Sequence, residues 1–524
     1  MRKIIILIAI VLTSNTFFAQ KKSDKLEVII GDEIKLKKKE RVDEVLGKDD
    51  NGTYVMARFG EDMTLFYYNN DLNLVKKNEI ELKYLKHDLI YEGIYQRGEE
   101  FYLFSSYQDK KKKGTFLYYQ QMNKASLTFS KPQLIGEVSY KNYKNSEAGY
   151  FEIMVSENGE HLMVKTHSAG HRKEDHYFDI VVYDTDMEEE WTMDAIKEPY
   201  DKESPQIVFD YDLGNTGSYF RLLKNIDKSK KYKRGEIDYS FSMQAFMAGE
   251  EKPIEFELEL SGEHITDVKF EDLENGGIQV VGFYSTKGQG QNGVYNLSYD
   301  KDFNLINENK KEFPLDFIVQ HASEKAKKKA KKKEAKGKEI EMHSYTIDDI
   351  IENQDGTGTM IAEEYYTYTT TSSDGNGGTT TTTHYIYGNI ILVKFNKDGQ
   401  VDWMELIPKY QHSLDGGYYS SYAQMQLSNG DIVLVFNDNP KNAFYEQSGN
   451  FYGWRSGRKK TDNTDVVFYE ITEEGNSTRY IIYKGEEEDV FSRPYVSLEV
   501  AKNQMVILGQ ANKQTKFVKL VFED

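Results

Sequence analysis

The sequence of 524 residues predicts an all-β fold assembled from one recurring unit. Three observations carry this: a turn and two-strand pattern that returns eight times, a composition rich in aromatic residues and poor in proline, and a spare N-terminal strand that matches a missing strand at the C-terminus.

The unit consists of a polar Gly/Asn turn, an apolar strand, a variable loop, a Tyr/Val-rich strand and an acidic turn. Its apolar strand recurs at 54–59, 101–104, 161–165, 219–223, 278–283, 360–362, 432–436 and 505–508. Its second strand follows at 64–68, 115–119, 178–183, 237–243, 294–299, 390–395, 466–469 and 516–522. Gly and Asn supply the positive φ that tight hairpins demand. Flanking segments such as 423–427 and 479–483 raise the unit to four strands, which is the size of a propeller blade. A sheet that small cannot cover its own faces, so neighbouring units must pack on one another.

The prediction is therefore a single closed β-propeller over 20–524, with eight four-stranded blades by count and seven as the runner-up. Two tandem β-sandwiches are the competing topology. The repeat resembles the β-propeller architecture of exported bacterial proteins. It carries no Gly-His to Trp-Asp pairing, no quinoprotein Trp motif and no Ser-x-Asp-x-Gly-x-x-Trp box, so it matches no specific propeller family. The last unit ends after its third strand, and the segment 26–36 reads as a strand without a unit of its own. Pairing the two completes the last blade with the N-terminal strand and removes two open sheet edges.

Composition fits this reading. There are 39 Tyr and 28 Phe against 3 Trp and 8 Pro, a balance suited to half-buried strands. The absence of cysteine excludes disulfides, thiolate metal sites and a cysteine nucleophile. A formal charge of −19 argues against general nucleic-acid binding. Residues 1–19 read as a signal peptide: Arg2 and Lys3, an apolar run 4–12, and a cut after Ala19. That run is too short to span a bilayer, and no later segment is long and apolar enough to do so. The expected location is the periplasm or the cell surface.

In an outward meander, the loop between strands two and three and the link to the next unit share one face. The long insertions fall there, and so do the lysines: Lys110 to Lys113 with Lys112 among them, Lys231, Arg234, Arg455, Arg458, and a run including Lys328 and Lys332. The insertion 317–344 has helix formers but no apolar stripe, so it reads as a solvated helix or as disordered chain. It is either a spacer or a grip for an anionic polymer. The loop 437–465 places Tyr452 and Trp454 beside Arg455 and Arg458, a set suited to sugar stacking or protein docking, or to folding the loop on its own scaffold. His167, His171 and His176 are weak metal candidates whose spacing matches no complete motif, so no metal and no cofactor is expected. Asp300-Lys301-Asp302 and Asn396 to Gln400 resemble fragments of calcium loops but are better read as Asx turns.

No catalytic motif appears. The sequence thus favours a binding or scaffold protein that meets a protein complex or an anionic envelope polymer. The competing class is a glycan-processing or other hydrolytic enzyme with its site in the axial pocket. Carboxylates with shifted pKa converging in that pocket favour the enzyme, and ordinary core residues there favour binding.

Overall fold

Backbone pairing follows the turn chemistry of the sequence. The computed structural model describes residues 23–84, 86–139, 149–168, 175–229, 231–232, 237–273, 275–288, 290–353, 357–373, 378–414, 416–456, 463–511 and 514–523. The expected signal peptide lies outside them.

Among the described residues eight sheets hold nearly all the strands, seven of them built on an antiparallel meander of four and the eighth on a meander of three joined by a strand from the N-terminus. The first comprises Arg41–Asp49, Gly52–Phe59, Asp62–Asn69 and Leu74–Ile80. The next five begin with the strands Ile90–Arg97, Tyr150–Val155, Gln206–Leu213, His264–Asp272 and Tyr345–Glu352. The seventh begins with Ala423–Gln426 and the eighth with Phe491–Ala501. The apolar strand of the repeat is in each case the second strand of a sheet. The turn before it demands the left-handed region, as at Gly217 (φ 76°) and Gly430 (φ 89°).

Eight hydrophobic clusters lie between successive sheets. One between the fourth and fifth contains Phe220, Met243, Phe270 and Leu297, and one between the seventh and eighth contains Val435, Phe468, Met505 and Leu520. A further cluster joins the first sheet to the eighth through Val42, Val55, Phe66, Val506, Leu508 and Phe517. Each fully buried side chain of this kind contributes about 1.5–3 kcal/mol, so packing between sheets replaces the covalent staples the chain lacks. Polar contacts follow the same seam: Arg493 Nη1 donates to Val42 O (3.0 Å) and Lys519 Nζ to Asn70 O (3.2 Å).

The fourth strand of the eighth sheet is N-terminal. Leu26–Ile30 pairs antiparallel with Gln514–Phe522, with Leu26 opposite Phe522 and Ile30 opposite Val518. Regular pairing stops at Ile30 rather than reaching residue 36. A Cβ at Gly31 would lie 3.0 Å from Leu72 Cβ and 3.3 Å from Phe517 O, so the chain passes close against the first sheet there. Backbone bonds nevertheless continue from Gly31 N to Phe517 O (2.9 Å) and from Ile34 N to Thr515 O (2.7 Å).

In six sheets the first strand carries a bulge, as between Val208 and Asp210, Ile265 and Asp267, and Ile347 and Asp349. An extra residue re-aims the side chains that follow it. Within the 317–344 insertion, Glu324–Glu334 is a helix whose Ser323 hydroxyl accepts the Ala326 N–H, and Ala330 is its buried residue. The Thr-rich segment belongs to a hairpin continuous with the sixth sheet, because Gly358–Ser373 and Thr379–Phe395 pair from Gly358 opposite Phe395 to Ser373 opposite Thr379, with one shift of register between Glu363 and Tyr365. Among the described residues no helix is long and apolar enough to cross a membrane.

Candidate functional site

Alternation along a strand decides what its two faces present. Val268 and Phe270 point into the core between the fourth and fifth sheets, so Lys269 and Glu271 face the opposite way. Asp210 and Asp212 on the fourth sheet, Asp349 on the sixth, Gln424 and Gln426 on the seventh and Glu499 on the eighth share that direction, around a cavity of about 570 Å³. Glu157, Asp272 and Glu352 complete its acidic lining. Eight carboxylates thus surround one cation, Lys269.

The bulges set this aim. At Ile347/Asp349 the extra residue is Asp348, which accepts the Tyr422 hydroxyl (2.7 Å), while Asp349 accepts the Gln424 amide at the cavity wall. Lys269 Nζ lies 3.4 Å from Asp210 Oδ2, and the Asn215 N–H donates to Asp272 Oδ2 (3.1 Å).

One lysine cannot neutralise this set. Burial, then the charges of Asp349 and Asp212, push the Glu271 carboxyl up to about 9. Burial and neighbouring Asp272 push Asp212 up to about 6. Asp272, Asp349 and Glu499 are also raised, each chiefly by burial. Lys269 stands above its ordinary value: burial pulls it down, but Asp210, Asp349 and Glu271 outweigh that pull. At neutral pH the pocket holds Glu271 protonated beside ionised carboxylates.

The acidic lining was not singled out in the sequence; Glu271 and Asp272 close the strand His264–Asp272. The signal was the alternation of polar and apolar residues just before each Gly/Asn turn: Asp210-Tyr211-Asp212-Leu213, Lys269-Phe270-Glu271, Gln424-Met425-Gln426-Leu427.

The residues singled out in the sequence separate into three groups. Lys112, Lys231, Lys328 and Lys332 are exposed; Lys112 and Lys231 lie in loops between the second and third strands of their sheets, and Lys328 and Lys332 lie in the link between the fifth and sixth sheets. Arg234, Arg458 and His171 lie outside the described residues. In the 437–465 loop, Tyr452 is exposed with Lys441 Nζ 5.2 Å from its ring centre, and Arg455 is exposed. Of the loop's two expected roles, Trp454 takes the second, folding the loop onto its own scaffold rather than offering a stacking surface: it is 2% exposed, and its indole N–H donates to Thr464 Oγ1 (2.9 Å). Its large apolar area is worth more as packing beneath the loop than in water, and the Asn442 side chain holds the loop down by bonding Asp438, Tyr452 O and the Tyr452 N–H. His167 is buried, stacked on Tyr150 at 4.2 Å and 3.2 Å from Glu152 Oε2, while His176 lies in a strand opposite Glu198. Among the described residues no group of three or more such side chains is placed to hold a metal.

No family model and no curated protein matches the chain. Among solved structures it is similar to a quinohemoprotein alcohol dehydrogenase from Comamonas testosteroni (9% identity, 92% of this chain and 75% of that one, TM-score 0.40). It is also similar to the β-propeller domain of the Trilobed protease from Pyrococcus furiosus (9% identity, 85% and 96%, TM-score 0.32) and to Drosophila Plexin A in complex with Semaphorin 1b (8% identity, 96% and 88%, TM-score 0.31).

Proposed function

We propose that the eight sheets close into an eight-bladed β-propeller, and that this is an exported binding protein of the periplasm or cell surface whose axial pocket takes a cationic ligand. The observation that carries this reading is the ratio of eight carboxylates to one lysine around a single cavity. Amino or guanidinium groups, as on a polyamine or a basic peptide segment, match that field and supply the missing counter-charge. A raised carboxyl pKa means that the empty pocket compensates with protons. A cationic ligand displaces them, so binding strengthens as pH rises through about 6, where Asp212 ionises.

Calorimetry of the mature chain with spermine and with an arginine-rich peptide tests this. Affinity should rise from pH 5 to pH 8 with proton release, and Asp212→Asn and Asp349→Asn should each weaken it about tenfold, the loss of one charge-assisted contact. No binding at low salt and pH 8, or binding indifferent to pH, overturns the proposal. Turnover of a glycan that Glu271→Gln abolishes also overturns it and assigns the pocket to the hydrolytic class, in which Glu271 supplies the proton.

A second reading concerns the opposite end of the sheets. Lys110 to Lys113, Lys231 and the helix Glu324–Glu334 occupy loops and links at that end, and the helix carries seven lysines, of which ion pairs with described residues engage Lys327 and Lys331. That end is suited to an anionic envelope polymer or lipid surface.

A further inference from the structure

The sixth sheet does not stop where its neighbours do. Its first strand ends its pairing at Tyr345 opposite Glu364, and its fourth strand, Val401–Ile407, spans only Ile390 to Phe395. The two middle strands run on together for nine further pairs, from Tyr365 opposite Tyr387 to Ser373 opposite Thr379. At about 3.3 Å per residue they form a ribbon about 30 Å long. A short strand, Gln411–Ser413, covers Tyr385 to Tyr387 at its base. Beyond that point the sheets among the described residues give the outer edge of Tyr366–Ser372 no partner strand, and Tyr365 to Ser373 are all exposed.

An open edge presents unpaired N–H and C=O groups, and proteins ordinarily blunt it with charge, proline or a bulge. The outer strands elsewhere follow that rule: Leu74–Ile80 carries Lys76, Lys77 and Glu79, and Leu305–Glu312 carries Glu308, Lys310, Lys311 and Glu312. The ribbon has none of these defences. From Tyr365 to Tyr387 the one Asp, Glu, Lys or Arg is Asp374, in a chain of which 29% is charged. There is no proline, and no register shift occurs beyond Tyr365. Tyr and Thr, which dominate the edge, are strong strand formers.

We propose that this edge is a β-strand addition site whose occupant is the same edge of a second copy of the chain. Charge permits a second copy. Two bodies of net charge −19 repel, but charges separated by more than about 8 Å are screened at physiological salt, and a neutral arm several times that length lets two copies pair with their bodies apart. Sequence favours it. Antiparallel pairing about a two-fold axis at Thr369 sets Thr369 opposite Thr369, Thr367 opposite Thr371 and Tyr368 opposite Thr370, all cross-strand pairs without like charges.

The absence of cysteine makes the test direct. In the mature chain carrying Thr369→Cys, mild oxidation should give a covalent dimer, because facing strand residues lie within disulfide reach. Ser126→Cys, exposed in the turn after the strand Gly114–Asn123, is the control and should stay monomeric. Sedimentation of the chain without cysteine should show a concentration-dependent dimer. The variant Thr367→Lys, Thr369→Lys, Thr371→Lys should weaken it at least about tenfold by opposing like charges, with the melting temperature unchanged. A protein monomeric at every concentration, a dimer indifferent to the three lysines, or cross-linking no greater than the control overturns the proposal.

Discussion

Glu271→Gln should make the protein more stable at neutral and alkaline pH, and the size of the gain follows from where the carboxyl titrates. In the unfolded chain a glutamate ionises near about 4.3. In the folded pocket burial and the neighbouring acids push Glu271 up to about 9. The folded state therefore holds a proton that the unfolded state has released, and the stability this group contributes, fully present below about 4.3, is lost as pH rises toward 9. The slope is about 1.4 kcal/mol per pH unit, which amounts to about 5 kcal/mol at pH 8 for a group cut off from solvent. Glu271 retains some exposure in an open cavity, so about 2–4 kcal/mol is the realistic gain for the neutral isostere. Denaturant unfolding of the two proteins at pH 4, 6 and 8 should show curves that coincide at pH 4 and separate progressively above it. A difference that is flat across this range, or a variant less stable at pH 8, refutes the electrostatic account of the pocket.

Two further outcomes are expected. Deleting residues 21–37 removes the ladder from Leu26 to Ile30 and the buried Ile34, whose apolar surface alone is worth about 3 kcal/mol or more, so the whole domain should melt lower in a calorimetric scan; a truncated chain that melts like the intact one refutes closure through the N-terminus. Replacing Lys111, Lys112, Lys113, Lys328 and Lys332 with Gln should release the protein from phosphatidylserine vesicles in a co-sedimentation assay without lowering its melting temperature. Each lysine near such a surface is worth about 1 kcal/mol, and binding by the parent should fall steeply between 0.05 and about 0.2 M salt; a parent that ignores the vesicles at low salt refutes the role of that face.

What could be read from the sequence was what repeats with local chemistry. Asn429-Gly430 and Asn158-Gly159 mark turns because positive φ is a property of the residue itself, and the apolar strands after them alternate in a pattern that needs no partner to recognise. The pairing of Leu26 with Phe522 was legible because a strand and a vacancy were both visible, though its end at Ile30 was not: that end depends on Leu72, which approaches Gly31 from another sheet. The choice between the two readings of Trp454 was hidden for a similar reason. A Trp beside Arg in a long loop reads the same whether it lies over the surface or beneath the loop, and only the parallel pairing of Gln411 with Trp454 and the Thr464 hydroxyl decide that it is packed.

The pocket was hidden by averaging. Asp210, Glu271 and Asp349 lie 61 and 78 residues apart in a chain where acidic residues are common, and each looks like one more solvated charge. Their convergence comes from two features that act together. Each lies in the strand that opens its sheet, so it lies nearest its counterparts on the neighbouring sheets, and bulges at Val208/Asp210, Ile265/Asp267 and Ile347/Asp349 turn alternate side chains away from the apolar seam. A core-facing carboxylate would have to be neutralised or paired at a cost of several kcal/mol. Aimed into a shared, water-accessible cavity, eight of them persist at the smaller cost of retained protons, and that cost is what a cation entering the pocket relieves.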